Sequence, residues 1–220
     1  MFVPANLVYV QMKTRRANMH LDALESAIRT WLERPPYTIS TWDDLKKWHY
    51  CQIDMHSVTE DIPILVGDYV CCLRSALDQL AWALAHLDST RIRSLKPGQL
   101  KRLGFPISIP GDTNYSERRG FFPPAVADVF DTLQPYRRRE SYRDDPLWQL
   151  DELWRLDKHI MIPANCTNVK VEFPVTDVEW LGYTYSHIKV RIPMAIAWLS
   201  PAHVKPRITT EIFFGEYSAP

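Results

Sequence analysis

A chain of 220 residues with 46% hydrophobic and 24% charged residues has the make-up of a globular protein, which argues against a disordered or fibrous class. Its 26 basic and 26 acidic side chains cancel, so broad attraction to nucleic acid or anionic membrane is not expected, although a local basic patch could still exist. There is no run of eighteen apolar residues and no basic-then-apolar leader, so a cytoplasmic protein with no membrane partner is expected.

The first periodic stretch runs from about Val8 to Glu33. Met19, Ala23, Ala27 and Trp31 recur every four residues with Leu24 and Ile28 beside them, predicting a long amphipathic helix that Pro35-Pro36 stops. From Tyr37 to Ile62 the period changes to alternation, with β-branched and aromatic residues on either side of a polar connection at Thr41 to Lys47, which predicts a β-hairpin. His49, Cys51, Ile53 and Met55 would share one face of its second strand. A His-x-Cys pair falls short of the three or four ligands that a metal needs, so a half-buried strand is the expectation.

The stretch Ile64 to Leu87 is the most apolar in the chain. Leu73, Leu77, Leu80 and Leu84, continued backward by Val66 and Val70, predict a central buried helix with Pro63 at its start and the pair Arg74 and Asp78 beside the stripe. Asp88 to Leu103 is basic and polar and reads as a solvated connection that retains a patch character. Phe105 to Pro110 reads as a short extended piece, and Pro123-Pro124 opens a helix over Ala125 to Thr132. Arg137 to Arg139 fall in a loop whose acidic neighbours, Glu140, Asp144 and Asp145, weaken a nucleic-acid role. Pro146 starts another helix, with Asp144 or Asp145 as its cap, carrying Leu147, Leu150, Leu153, Trp154 and Leu156 toward a core and ending at Asp157-Lys158-His159. Beyond Asn168, VKVEFPV, YTYSHIKVRI and RITTEIFFGE predict about three antiparallel strands, with Pro174 marking the first as an edge.

These elements make an α+β fold in a single domain over 1–220. A helical core of three to four helices spans about 8–162, a hairpin is inserted at 37–62, and a C-terminal antiparallel sheet covers about 168–216, packed on or extended by the hairpin. Cys51, Cys71, Cys72 and Cys166 show no C-x-x-C spacing, which fits a reducing compartment. No glycine-rich phosphate loop, nucleophile elbow, H-E-x-x-H or Cys/His cluster occurs, so no cofactor and no metal are expected. The residues that could make a site lie between two helices: Arg74, Asp78, Asp157, Lys158 and His159. A plainer account makes Arg74 and Asp157 a partly buried ion pair holding the helices together.

The pieces GDYVCCLRSALDQLAW at Gly67 to Trp82, DPLWQL at Asp145 to Leu150, LDKH at Leu156 to His159 and FGE at Phe214 to Glu216 resemble a pattern in a group of uncharacterised bacterial proteins. That pattern runs G-D-(F/Y)-x-x-N-L-R-S-A-L-D-H-L-x-W, D-P-L-W-x-L, (I/L)-D-K-H and F-G-E over nearly the whole chain. One level further out, the R-x4-H spacing of that group is similar to the signature of HEPN domains. These are helical modules that often dimerise and in many cases cleave RNA without a metal. The resemblance implies that Arg74 would bind the scissile phosphate and that a histidine five residues on would handle the ribose hydroxyl. Here that histidine is Gln79, and Cys72 replaces the polar residue before the arginine. Arg15 and His20 repeat the R-x4-H spacing on the first helix. The resemblance therefore implies an RNA-associated protein, catalytically weak or inactive, possible as a homodimer; the alternative is a non-enzymatic protein-interaction or structural module.

Overall fold

The computed structural model describes residues 5–44, 48–159, 162, 164–172, 179–183, 187–193 and 207–214. The chain is α+β and divides into two compact units, a helical one from Met1–Leu24 and Ile64–Ile162 and a sheet-bearing one from Glu25–Pro63 and Pro163–Pro220. No described helix is long and apolar enough to cross a membrane.

In the helical unit, α1 (Ala5–Leu32, whose last turns belong to the other unit) buries Ala17 and Leu24 and half-buries His20 and Leu21. Met19 and Ala23, expected on the inward stripe, are exposed; about one hundred degrees per residue places Met19 opposite Ala17 and Leu24 and turns Ala23 aside from them. The central helix, α2 (Asp61–Ala85), starts three residues before Ile64 and takes Pro63 into its first turn, where a missing N–H costs nothing. Val66, Val70, Ala76, Ala81 and Ala85 are buried along it, while the expected Leu73, Leu77, Leu80 and Leu84 are half-buried, and the residues in its last two turns with no exposure are small, Ala81 and Ala85. Their size brings the helix close to a cluster of Phe105, Phe121, Phe122 and Phe130, whose rings meet at 4.8 Å (Phe105 with Phe130) and 4.9 Å (Phe122 with Phe130).

The stretch after α2 is more structured than a solvated connection. A short helix, α3 (Ser89–Ser94), and the Leu95 that ends it set Ile92 and Leu95 against the phenylalanine cluster; α4 (Pro97–Leu100) follows, and Leu103 is buried. After α5 (Tyr115–Arg119) and α6 (Pro124–Thr132), residues Pro135–Asp144 form tight helical turns broken at Arg139, whose φ is 51°. In α7 (Pro146–His159) the cap is Asp145, which accepts from the Leu147 N–H at 2.9 Å and from the Arg138 Nε–H at 2.8 Å.

In the sheet-bearing unit, β1 (Tyr37–Asp44) and β2 (Trp48–Met55) pair antiparallel from Tyr37 with Met55 to Asp44 with Trp48, so the first strand runs through most of the stretch expected as a connection. Cys51 and Ile53 are fully buried, and burial pushes the Cys51 thiol up to about 11. The His49 Nδ1 is 2.7 Å from Asp43 Oδ1 across the pair, and no group of three metal-ligating side chains forms among the described residues. Among the described residues the later strands are four: β3 (Ala164–Glu172), β4 (Glu179–Tyr183), β5 (His187–Pro193) and β6 (Arg207–Phe214). They divide between two antiparallel sheets, β5 and β4 extending the hairpin in the order β1-β2-β5-β4 while β3 pairs with β6. The strand missing from the sequence expectation, β4, is interrupted by a register shift between Trp180 and Gly182, which breaks the alternation that would reveal it. The edge expected at Pro174 and the last two residues of the F-G-E piece lie outside the described residues.

Candidate functional site around Arg74

One turn of α2 places Arg74 and Asp78 side by side, with Arg74 Nη2 3.3 Å from Asp78 Oδ1. The pair works on the backbone of Phe105. Arg74 Nη2 donates to the Phe105 carbonyl at 3.1 Å, and Asp78 Oδ1 accepts from the Phe105 N–H at 2.9 Å. Gly104 makes this approach possible, since a Cβ there would stand 2.7 Å from Asp78 Oδ1.

The reason for such a clamp lies in the extended segment Phe105 to Pro110. Among the described residues it pairs with no strand, and because Phe105, Pro106 and Ser108 are buried their backbone groups need partners. Buried Gln134 accepts from the Ser108 N–H at 2.8 Å and donates to the Pro106 carbonyl at 2.9 Å, Arg118 donates to the Ile107 carbonyl, and the Tyr136 N–H donates to the Ser108 carbonyl. Side chains thus replace a sheet ladder, and Arg74 and Asp78 serve the first residue of the series.

On its other side Arg74 reaches α7. Its Nη1 donates to Asp151 Oδ1 at 3.1 Å, and its guanidinium carbon lies 5.1 Å from the centre of the Trp154 ring. The side chain is only 12% exposed, against 37% for Asp78 and 39% for Asp151. Two carboxylates thus flank the one guanidinium. Burial raises the Asp151 carboxyl above its ordinary range, and neighbouring Asp78 and Glu152 add to the rise, against the opposing pull of Arg74 and Arg118.

The five sequence candidates therefore separate. Arg74 and Asp78 are together, and Lys158 joins them through Trp154, with its Nζ 3.6 Å from the ring centre. Asp157 is not the partner of Arg74. It lies six residues beyond Asp151, about 9 Å along α7 and well round its circumference, and it sits instead against Gly67, where a Cβ would stand 2.1 Å from its Oδ1. Burial, and then the neighbouring Asp68, raise its carboxyl. His159 is exposed at the end of α7. On α1, His20 Nδ1 is 3.7 Å from Asp68 while its Nε2 accepts from Arg16 at 3.2 Å, and Arg15 is exposed.

The R-x4-H spacing does not converge on α2: five positions turn a helix by about 140° beyond a full turn, so Arg74 faces inward while Gln79 is exposed. Compared with known protein families, curated proteins and solved structures, the chain matches none. The site has to be understood from its own chemistry.

Asp151 and Gln134 are the residues that sequence reasoning missed. Asp151 carried a usable signal, a carboxylate within the otherwise apolar run of α7 between Leu150 and Leu153. Beside Asp151 opens a cleft of about 410 Å³ with Ile107, Ile109 and Pro110 on one wall and Trp148, Asp151 and Glu152 on the other. The polar side chains of its lining are the carboxylates of Asp112, Asp151 and Glu152, and Arg74 does not line it.

Proposed function

We propose that this is a cytoplasmic, HEPN-like, RNA-associated protein that binds without cleaving. The observation that supports the absence of cleavage is the engagement of Arg74: its guanidinium meets Asp78, Asp151, the Phe105 carbonyl and Trp154, so it serves as a structural tie and not as a phosphate ligand. The exposed Gln79 cannot act as a general base, and it points away from Arg74. Incubating the protein with labelled single-stranded and structured RNA at low salt with chelator tests this. Retention of intact RNA is expected, also for Gln79→His, and cleavage lost in a folded Arg74→Ala or His159→Ala protein would refute it.

A second reading, a protein-interaction module that pairs with its own copy, is favoured by a different observation. Val8, Met12 and Met19 are exposed along the α1 face opposite Ala17 and Leu24, at 41%, 60% and 56%. A concentration-dependent dimer broken by Met12→Glu with Met19→Glu would support it, and a monomer at all concentrations would dismiss it.

A further inference from the structure

The stretch Asp88 to Leu103 carries Arg91, Arg93, Lys96, Lys101 and Arg102 with Asp88 as its one acid. Such a run on a floppy loop would hold no fixed charge pattern, but this one is anchored. Asp88 caps α3 by accepting from the Thr90 and Arg91 N–H groups at 3.2 and 3.0 Å, and the Gln99 side chain accepts from the Lys96 N–H at 3.0 Å at the start of α4. Ile92 and Leu95 pack inward on the phenylalanine cluster. With the apolar residues turned in, Arg93, Lys96, Lys101 and Arg102 are left exposed.

Their charges are not all cancelled. Arg91 is 3.5 Å from Asp88, and Arg102 is 2.6 Å from Glu117. Arg93 donates to the Ser89 carbonyl and hydroxyl, which are neutral, and among the described residues no carboxylate lies within 4.0 Å of the Arg93, Lys96 or Lys101 cations. Three cations of five, Arg93, Lys96 and Lys101, are therefore exposed without a carboxylate partner among the described residues, within a chain of zero net charge. The ground between Lys96 and Lys101 is open, since a Cβ on Gly98 would meet nothing within 4 Å. The run Arg137 to Arg139 is a weaker candidate: Arg138 is bound to Asp145, and Glu140 and Asp144 interrupt the rest.

We propose that Arg93 on α3 and Lys96 and Lys101 at the two ends of α4 form the surface that contacts the phosphate backbone of RNA. This rests on the RNA-associated reading and moves the contact away from Arg74, whose guanidinium is occupied by Asp78, Asp151 and the Phe105 carbonyl. The stretch from Asp88 to Leu103 has no aromatic residue, so it offers no ring for a base to stack on, and the contact reads backbone charge without sequence preference.

The test is fluorescence anisotropy with a labelled unstructured RNA oligonucleotide, and single-stranded DNA of the same sequence, across 20 to 200 mM salt, with the full chain. Three phosphate contacts on a single strand predict a slope of log K against log salt of about −2. Arg93→Gln with Lys96→Gln and Lys101→Gln should flatten that slope to near zero and weaken binding at low salt by at least about tenfold. Thermal unfolding should be unchanged, because all three side chains are exposed, and Arg137→Gln with Arg139→Gln should leave the slope intact. The DNA strand should bind within a few-fold of the RNA.

If wild type binds RNA and the triple variant binds it equally well with the same slope, the strip is overturned while the RNA reading stands. If wild type binds no RNA at 20 mM salt, both fall, and the protein-interaction reading takes their place. Binding of RNA with none of DNA would overturn the backbone-only contact.

Discussion

Arg74→Ala separates a structural arginine from one that serves chemistry. The substitution removes the hydrogen bonds to Asp151 and to the Phe105 carbonyl, the contact with Asp78, and the stacking on Trp154. A fully buried charge stripped of its partner costs ~3–5 kcal/mol. Asp78 and Asp151 are more than a third exposed, so water takes over much of their solvation and each of those contacts falls toward the ~0.5–1 kcal/mol scale of surface pairs. The Phe105 carbonyl is less fortunate, because Phe105 is buried, and losing a charged donor there costs ~1.5 kcal/mol. With the cation–π contact added, the total comes to about 3 kcal/mol.

For a unit of this size that total corresponds to a fall in Tm of about 10 °C. Thermal unfolding followed by circular dichroism measures it, with Arg74→Lys as a companion. Lysine keeps the charge but cannot fork between Asp151 and the Phe105 carbonyl, so about half of the loss should remain. A folded Arg74→Ala protein whose Tm falls by less than about 3 °C would refute the assignment of Arg74 as a tie; this threshold is about 1 kcal/mol on the same scale.

Two glycines under carboxylates should respond in opposite ways. Gly67→Ala meets Asp157, whose carboxylate is desolvated and near Asp68, so the side chain can swing outward and the helix gains up to ~1 kcal/mol in denaturant unfolding. Gly104→Ala meets Asp78, which is fixed by Arg74 and by the Phe105 N–H, and should cost ~1–2 kcal/mol; equal effects of the two substitutions would contradict this account. The Asp157 carboxyl also sets a pH dependence. Its folded value lies above the unfolded value near 3.9, so its favourable contribution is present below that pH and is lost as pH rises through the raised folded value. Asp157→Asn should therefore remove part of the decline in stability that wild type shows above about pH 4, and identical stability profiles for the two proteins would argue against the shift.

Much of the helical unit is legible in the sequence because helix formation is a local matter. The period of Val66, Val70, Leu73 and Leu77, the stop at Pro35-Pro36, and Asp145 before Pro146 each act within a turn or two, and they fall where the helices begin, end and face. The pairing of Arg74 with Asp78 is local in the same sense. Strands with interrupted alternation were harder: Gly182 and the register shift beside it hid β4, and nothing local says that β5 joins β2 while β3 joins β6.

The partners that give Arg74 its role are 31 and 77 residues away, at Phe105 and Asp151, and Gln134 lies 26 residues from the Ser108 that it serves. No period or spacing encodes such distances. An extended segment crossing a helical core leaves backbone groups that must be satisfied, and only the folded chain decides which side chains are close enough to satisfy them. By itself the sequence determined that a charged pair would sit at the edge of an apolar helix. The tertiary structure decided that the pair faces a peptide backbone and a carboxylate, because those groups meet it only when α2, the extended segment and α7 pack together.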